Sequence, residues 1–376
     1  MTPEGPVHRT AFLVLSAVTL AAPAAAQEAG FKEHHHREAA GRPEIRLFDD
    51  LGNHHYPVTA SADAQRWFDQ GIRLLWAFNH AESARSFREA ERRDPACGMC
   101  AWGIALAVGP NINAAMGPGD ADTAIAALAR ATARAGNLPP RERKLIAALE
   151  ARYRSADPAL RSQLDSAWAA AMGDVVAEFP DDLEARVIYA DALMNTSPWN
   201  YWNADGSPRP STPIILENLE RVIASNPHHP GACHLFIHAV EAREPARAVP
   251  CAERLAQLMP GAGHLVHMPG HIYIRVGRYA HAVDANRHAI HADRTYLEGP
   301  AGRSRSFYGS TYYPHNYHFL AFAASMMGAS RLAIENAFRA AEGVDPEVAK
   351  EIPWIEAVTP IAYWTLVTFG RWDQLL

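Results

Sequence analysis

The chain has 376 residues, 48% of them hydrophobic and 20% charged, a globular composition with enough apolar material for a large core. A formal charge of −6, with no Lys/Arg-rich block to offset it, argues against a nucleic-acid partner. Nineteen histidines beside 35 Lys and Arg are many, and they carry the functional question.

At the N-terminus Arg9 precedes the apolar run AFLVLSAVTLAAPAAA, and Ala24-Ala25-Ala26 offers a cleavage site before Gln27. Residues 1–26 therefore read as an export signal, with an uncleaved anchor as the alternative because the flank is weakly basic. No segment reaches the ~20 apolar residues a membrane span needs, so no transmembrane helix is expected. Export implies a periplasmic or secreted protein in an oxidising compartment, where the four cysteines are expected to pair. Cys97 with Cys100 and Cys233 with Cys251 are the simplest of the possible pairings, and Ala101 stands where a c-type haem attachment would need His. Residues 27–60 show little periodicity and read as a mobile lead-in. Within it His34, His35 and His36 form either a metal-scavenging or a solvated tail.

From Ala64 the chain turns helical and repetitive. In ADAQRWFDQGIRLLWAFNHAESARSFREAERRDP, Trp67, Gly71, Leu74, Phe87, Ala90 and Pro95 fall at the signature offsets of a roughly 34-residue helical hairpin. The stretch resembles a tetratricopeptide repeat (TPR) unit. Gly270, Tyr273, Ala282 and Ala289 repeat the pattern around the turn at Gly277, and Ala333 and Ala340 do so after Gly328. GACHLFIHAVEAREPARAVPCAERLAQLMP fits with a shorter turn, through Ala248 and Pro260, while residues 98–215 match poorly. One hairpin cannot bury its apolar stripe alone, so stacked hairpins must share a core. Residues 61–376 are accordingly expected to form one all-α domain, a right-handed α-solenoid of TPR-like repeats. Gly370-Arg371-Trp372 repeats Gly277-Arg278-Tyr279 just before the sequence stops. The chain is therefore expected to continue past Leu376, with Ala362, Leu366 and Phe369 left uncovered.

The histidines fall in register. His264 and His267 stand as far before Gly277 as His315 and His318 stand before Gly328, and His234 and His238 correspond to His267 and His271. At about 100° per residue, His264, His267 and His271 span about 60° of one helix face. Helices packed roughly 8–10 Å apart allow imidazoles from neighbours to meet at one ion. Resemblance to TPR scaffolds implies that the first helices line a concave groove, where these stripes would converge. Glu241, three residues after His238, is a candidate carboxylate ligand or general base, or else an exposed helix residue. Such a set suits a transition metal, Zn, Cu or Fe, whose identity imidazole ligation does not fix. The alternatives are a groove that holds a peptide or protein partner, and histidines that only pack or face solvent.

Other segments are candidates for the groove's mouth. GPNIN supplies Asn111 and Asn113, with helix capping as the default role, and SPWNYW supplies Trp199, Tyr201 and Trp202 in a loop. His80 and Glu82 are expected to be exposed at the first repeat's turn, and His228 and His229 to lie in a turn. No HExxH, GxSxG, P-loop or GxGxxG is present, and no catalytic nucleophile stands out. The run from LGNHHYPVT to HLVHMPGHIYIRVGRYA resembles a group of exported bacterial TPR-repeat proteins of generally undefined activity. Three functions stay open: a metal-binding protein, a peptide-binding scaffold, and a metal-dependent oxidative or hydrolytic enzyme centred on the same histidines.

Overall fold

The computed structural model describes residues 45–299, 306–351 and 353–376. The proposed export signal and the His34–His36 triplet lie outside them. The described residues form an all-α chain of eighteen α-helices. The first half comprises α1 (Ala62–Trp76), α2 (His80–Arg93), α3 (Gly98–Ala107), α4 (Asp120–Arg134), α5 (Pro140–Glu150), α6 (Arg161–Glu178), α7 (Leu183–Asn195) and α8 (Thr212–Ser225). It continues through α9 (Pro230–Val240), α10 (Val249–Leu258), α11 (Gly263–His267), α12 (Pro269–Arg275) and α13 (Tyr279–Leu297). The last helices are α14 (Phe307–Met326), α15 (Ser330–Glu342), α16 (Pro346–Glu351), α17 (Ile361–Thr368) and α18 (Trp372–Leu375).

Through most of the chain each helix packs on its neighbour in sequence, as a solenoid requires. Local chemistry sets the hairpins. Ser61 caps α1 by accepting from the Ala64 N–H, and Asn79 caps α2 by accepting from the Glu82 N–H. Gly71 lets α1 close on Phe87 of α2, since a Cβ there would stand 2.6 Å from the ring. Gly277 and Gly328 turn their hairpins in the left-handed region, at φ 77° and 71°. One apolar core runs from Leu51 to Ala333, and a smaller one gathers Ala340, Val344, Ile355 and Val358.

The superhelix closes on itself. α1 packs against α9, and the Trp76 carbonyl accepts from His234 Nδ1 at 2.6 Å. Asn113 Nδ2 donates to the Tyr312 hydroxyl at 3.1 Å, across 199 residues of sequence. The part of the expected groove that carries the histidines is therefore covered over. The histidines that were to line it are buried, except His315, which is half-buried.

Three other expectations change. Residues 45–60 are an extended strap rather than a loose lead-in: Leu51 and Tyr56 are buried, Phe48 N donates to Gln70, and Tyr56 hydroxyl to Asp182. Glu82 is buried and paired with Arg85 at 2.6 Å, because the turn that carries it folds inward. At the end of the chain Ala362 and Leu366 are buried and Phe369 is partly so. One helical turn aligns 362 with 366 toward α15, which leaves Tyr363, Trp364 and Val367 facing out. No helix among the described residues is long and apolar enough to cross a membrane.

Candidate metal centre

α9 contributes His234 and His238, α11 His264 and His267, α12 His271, and α14 His315 and His318. The expected continuous first helix is broken at Pro269, which has no N–H to give. Met268 keeps helical angles, φ −50° and ψ −36°, so α12 continues the course of α11 and the His267 and His271 rings meet at 4.8 Å.

Two sets result. One ring nitrogen from each of His234, His238 and His264 lies within 4.8 Å of the other two, and the same holds for His267, His271 and His315. His234 Nε2 and His264 Nε2 are 3.2 Å apart. Two imidazoles on one tetrahedral ion, with bonds of about 2.0–2.1 Å, stand about 3.3 Å apart. His318 joins neither set, although it lies one turn from His315. It packs beside Phe319 instead, and burial lowers its pKa to about 4.

The hydrogen bonds fix which nitrogen His234, His238, His267 and His271 present. A neutral imidazole carries one N–H and one lone pair. His234 Nδ1 faces the Trp76 carbonyl, an acceptor, so it carries the proton and Nε2 is bare. His267 Nδ1 faces Asn286 Oδ1 at 2.7 Å, and the Asn286 amide is itself committed to the Ala282 carbonyl. His238 Nδ1 donates to Glu241 Oε1 at 3.0 Å and His271 Nδ1 to Oε2 at 2.8 Å. The Nε2 atoms of His238, His267 and His271 are buried with no hydrogen-bond partner. This is the tautomer that ligates metals, each ring oriented from behind by an oxygen.

Glu241 therefore differs from the expected exposed helix residue, and it lies within reach of His238 and His271 for the three to hold an ion together. It is buried, and both its oxygens hold imidazole N–H groups. Burial alone would raise its pKa, but the His271 and His238 rings hold it well below the usual carboxylate range. Burial pushes His234, His264, His267 and His315 well below the ordinary imidazole value, and each neighbouring ring adds to the effect. Burial also lowers His238, against the opposing pull of Glu241. Neutral rings with free lone pairs are the form that accepts a cation.

Aromatic rings wall the sets. Phe78 lies 4.4 Å from His234 and 5.5 Å from His264, and Phe319 lies 4.6, 4.5 and 4.6 Å from His267, His271 and His315. Among the described residues, the positive φ values outside glycine belong to Phe78 (54°) and Trp199 (62°). Both rings touch the first set, Trp199 edge-on to His238 at 4.9 Å. A bulky residue in that region costs about 1–3 kcal/mol and persists where surrounding structure demands it.

The groove candidates divide. Asn111 Oδ1 accepts from the N–H groups of Asn113 and Ala114, a turn role, and Asn113 ties that turn to Tyr312, whose ring is 4.3 Å from His264. Trp202 donates to the Ala239 carbonyl at 2.8 Å, and Tyr201 is buried with its hydroxyl pKa raised by burial. These residues close the loop over α9. Sequence reading missed Trp76, Phe78, Asn286 and Phe319. A hint of Asn286 lay in Gly270, where a Cβ would stand 2.7 Å from its amide. Both cysteine pairs are bonded, with Cα–Cα distances of 5.4 Å for Cys97–Cys100 and 5.2 Å for Cys233–Cys251.

Fold and site together define a closed helical-hairpin solenoid with histidines gathered in its interior. No known protein family and no curated protein matches the chain. Among solved structures it is similar to the TPR2AB domain–pHSP90 complex of yeast Sti1, at 15% identity, covering 81% of this chain and 100% of that one, with a TM-score of 0.28. It is also similar to the P58(IPK) TPR domain, at 13% identity, covering 83% and 93%, with a TM-score of 0.21.

Proposed function

We propose that this protein binds a transition metal, Zn, Cu or Fe, through the buried histidines of α9, α11, α12 and α14. One observation carries the reading: His238, His267 and His271 each present a buried, unpartnered Nε2 while Nδ1 is held by an oxygen. A buried polar atom without a partner costs about 1–3 kcal/mol, and a cation would satisfy several at once. Three imidazoles also match the ligand count of metal sites that keep a further position for water or substrate, which favours a metal-dependent enzyme as the second reading. The peptide-scaffold reading lacks an open groove at these residues. We further infer export to the periplasm or outside the cell, on the strength of the apolar run ending at Ala26 and of the paired cysteines.

Metal analysis of untagged protein, with His34, His35 and His36 replaced by Ala, tests the reading. It predicts at least one bound metal ion per chain, fewer in His267→Ala with His271→Ala, and a rise in melting temperature on adding Zn²⁺ that is larger in the wild type than in that variant. Equal, sub-stoichiometric metal in both proteins and identical melting would refute it. Mass spectrometry of exported protein should find Gln27 first, and an intact Met1 would count against cleavage.

A further inference from the structure

We propose that the cluster takes two transition-metal ions side by side, one on His234, His238 and His264, the other on His267, His271 and His315. The inference rests on the metal-binding reading and concerns how many ions bind and how they are linked.

Six imidazoles cannot share one ion here. Ligand nitrogens bound at about 2.0–2.1 Å lie at most about 4.2 Å apart. Among the described residues no fourth histidine joins either set even at 4.8 Å, and the two sets have no member in common. A single ion on one set would leave at least one buried Nε2 of the other without a partner, His238 in the first or His267 and His271 in the second. Each set instead has its own supports. Trp76 orients a ring of the first, Asn286 a ring of the second, and each packs against one phenylalanine, Phe78 or Phe319.

Glu241 joins them. Its two oxygens hold His238 of one set and His271 of the other, whose ring centroids are 5.2 Å apart. One buried carboxylate thus orients a ligand at each ion and supplies negative charge between two cations. Those same three residues also lie close enough to hold a single ion on Nδ1 and carboxylate atoms. That arrangement would need both donated protons removed and would strand both Nε2 atoms. Half-buried His315 places the second set nearer the surface than the first. Three protein ligands per ion leave each open to a small exogenous ligand.

The test is Cu²⁺ stoichiometry in the full chain carrying the 34–36 alanine substitutions, after loosely held ion is removed with a weak chelator. The expected result is two Cu²⁺ per wild-type chain, one in His264→Gln, one in His315→Ala, and none in the double variant. Electron paramagnetic resonance should show spin coupling in the wild type and isolated Cu²⁺ in each single variant. One ion in the wild type, lost in both single variants, would overturn the pair while leaving metal binding intact. One ion abolished by Glu241→Gln alone would instead place it on the carboxylate and also overturn the proposal. No ion at all would remove the metal-binding reading itself. Helicity measured on every variant separates misfolding from loss of a ligand, and the wild-type count decides even where a variant misfolds.

Discussion

Two clusters in this molecule have nearly the same composition and opposite status. Glu184 accepts from His54 Nε2 at 2.9 Å, His229 Nε2 at 3.1 Å and the Trp76 indole at 2.7 Å. Glu241 accepts from His238 Nδ1 and His271 Nδ1. Both carboxylates are buried, and the adjoining imidazoles hold both pKa values far down against the opposing effect of burial. The difference lies in which nitrogen faces the carboxylate. His229 caps α9 by accepting the Ala232 N–H on Nδ1, so its Nε2 proton goes to Glu184 and the ring has nothing left to offer. The first cluster ties the strap at His54 to α7 and α9, although its three residues also lie within metal-binding reach of one another. In the second, Nδ1 takes the anchoring role and Nε2 points away bare. Residue type and proximity do not separate a structural knot from the proposed metal site; the nitrogen that faces the carboxylate does.

The largest expected effect tests the first cluster. Glu184→Ala should cost about 3–5 kcal/mol in urea unfolding, because it strands two imidazoles and an indole, and should leave metal content unchanged. A loss of metal with unchanged stability would reverse the roles of the two clusters. Next in size, Zn²⁺ at a hundred times its dissociation constant should stabilise the wild type by about 2.7 kcal/mol at pH 7.5. That gain should shrink as pH falls, because protons compete for the same nitrogens. Glu241→Gln should weaken metal binding by roughly 10–100-fold in a chelator competition, with little change in helicity. The smallest effect belongs to Asn286→Ala, roughly tenfold and confined to one ion of the pair.

Metal-free protein sharpens the comparison through pH. The folded pKa values of His234, His264, His267 and His315 are depressed, so the unfolded chain binds more protons below its imidazole value of about 6.5. Stability is therefore full above that pH and falls as pH drops through it. The depressed carboxylates Glu184 and Glu241 add a second loss below about 4.3. Urea midpoints across pH 8 to 4 should show the first decline beginning near 6.5. A midpoint flat down to pH 5 would contradict buried neutral rings.

The hairpin pattern was legible because Gly71, Phe87, Gly277 and Gly328 act within their own repeats, where spacing alone encodes contact. The histidine stripes were legible for the same reason, since register on successive first helices places them together. The closure of the superhelix was not, because it rests on pairs such as Asn113 with Tyr312 that no local period connects. His318 shows the limit of register: it repeats the spacing of His267 yet misses the sets. The role of Glu241 depended on which imidazole nitrogen would face it, and spacing does not carry that. Phe78 gave only a faint signal, a large aromatic just before the Asn79 cap, and its left-handed backbone follows from what it covers.

X-ray absorption at the metal edge, on untagged protein with the 34–36 triplet removed, tests the central claim most directly. Bare Nε2 atoms held from behind predict about three imidazole nitrogens per ion at about 2.0–2.1 Å, with the multiple-scattering pattern of intact rings. A first shell of oxygens, or fewer than two imidazoles per ion, would contradict it.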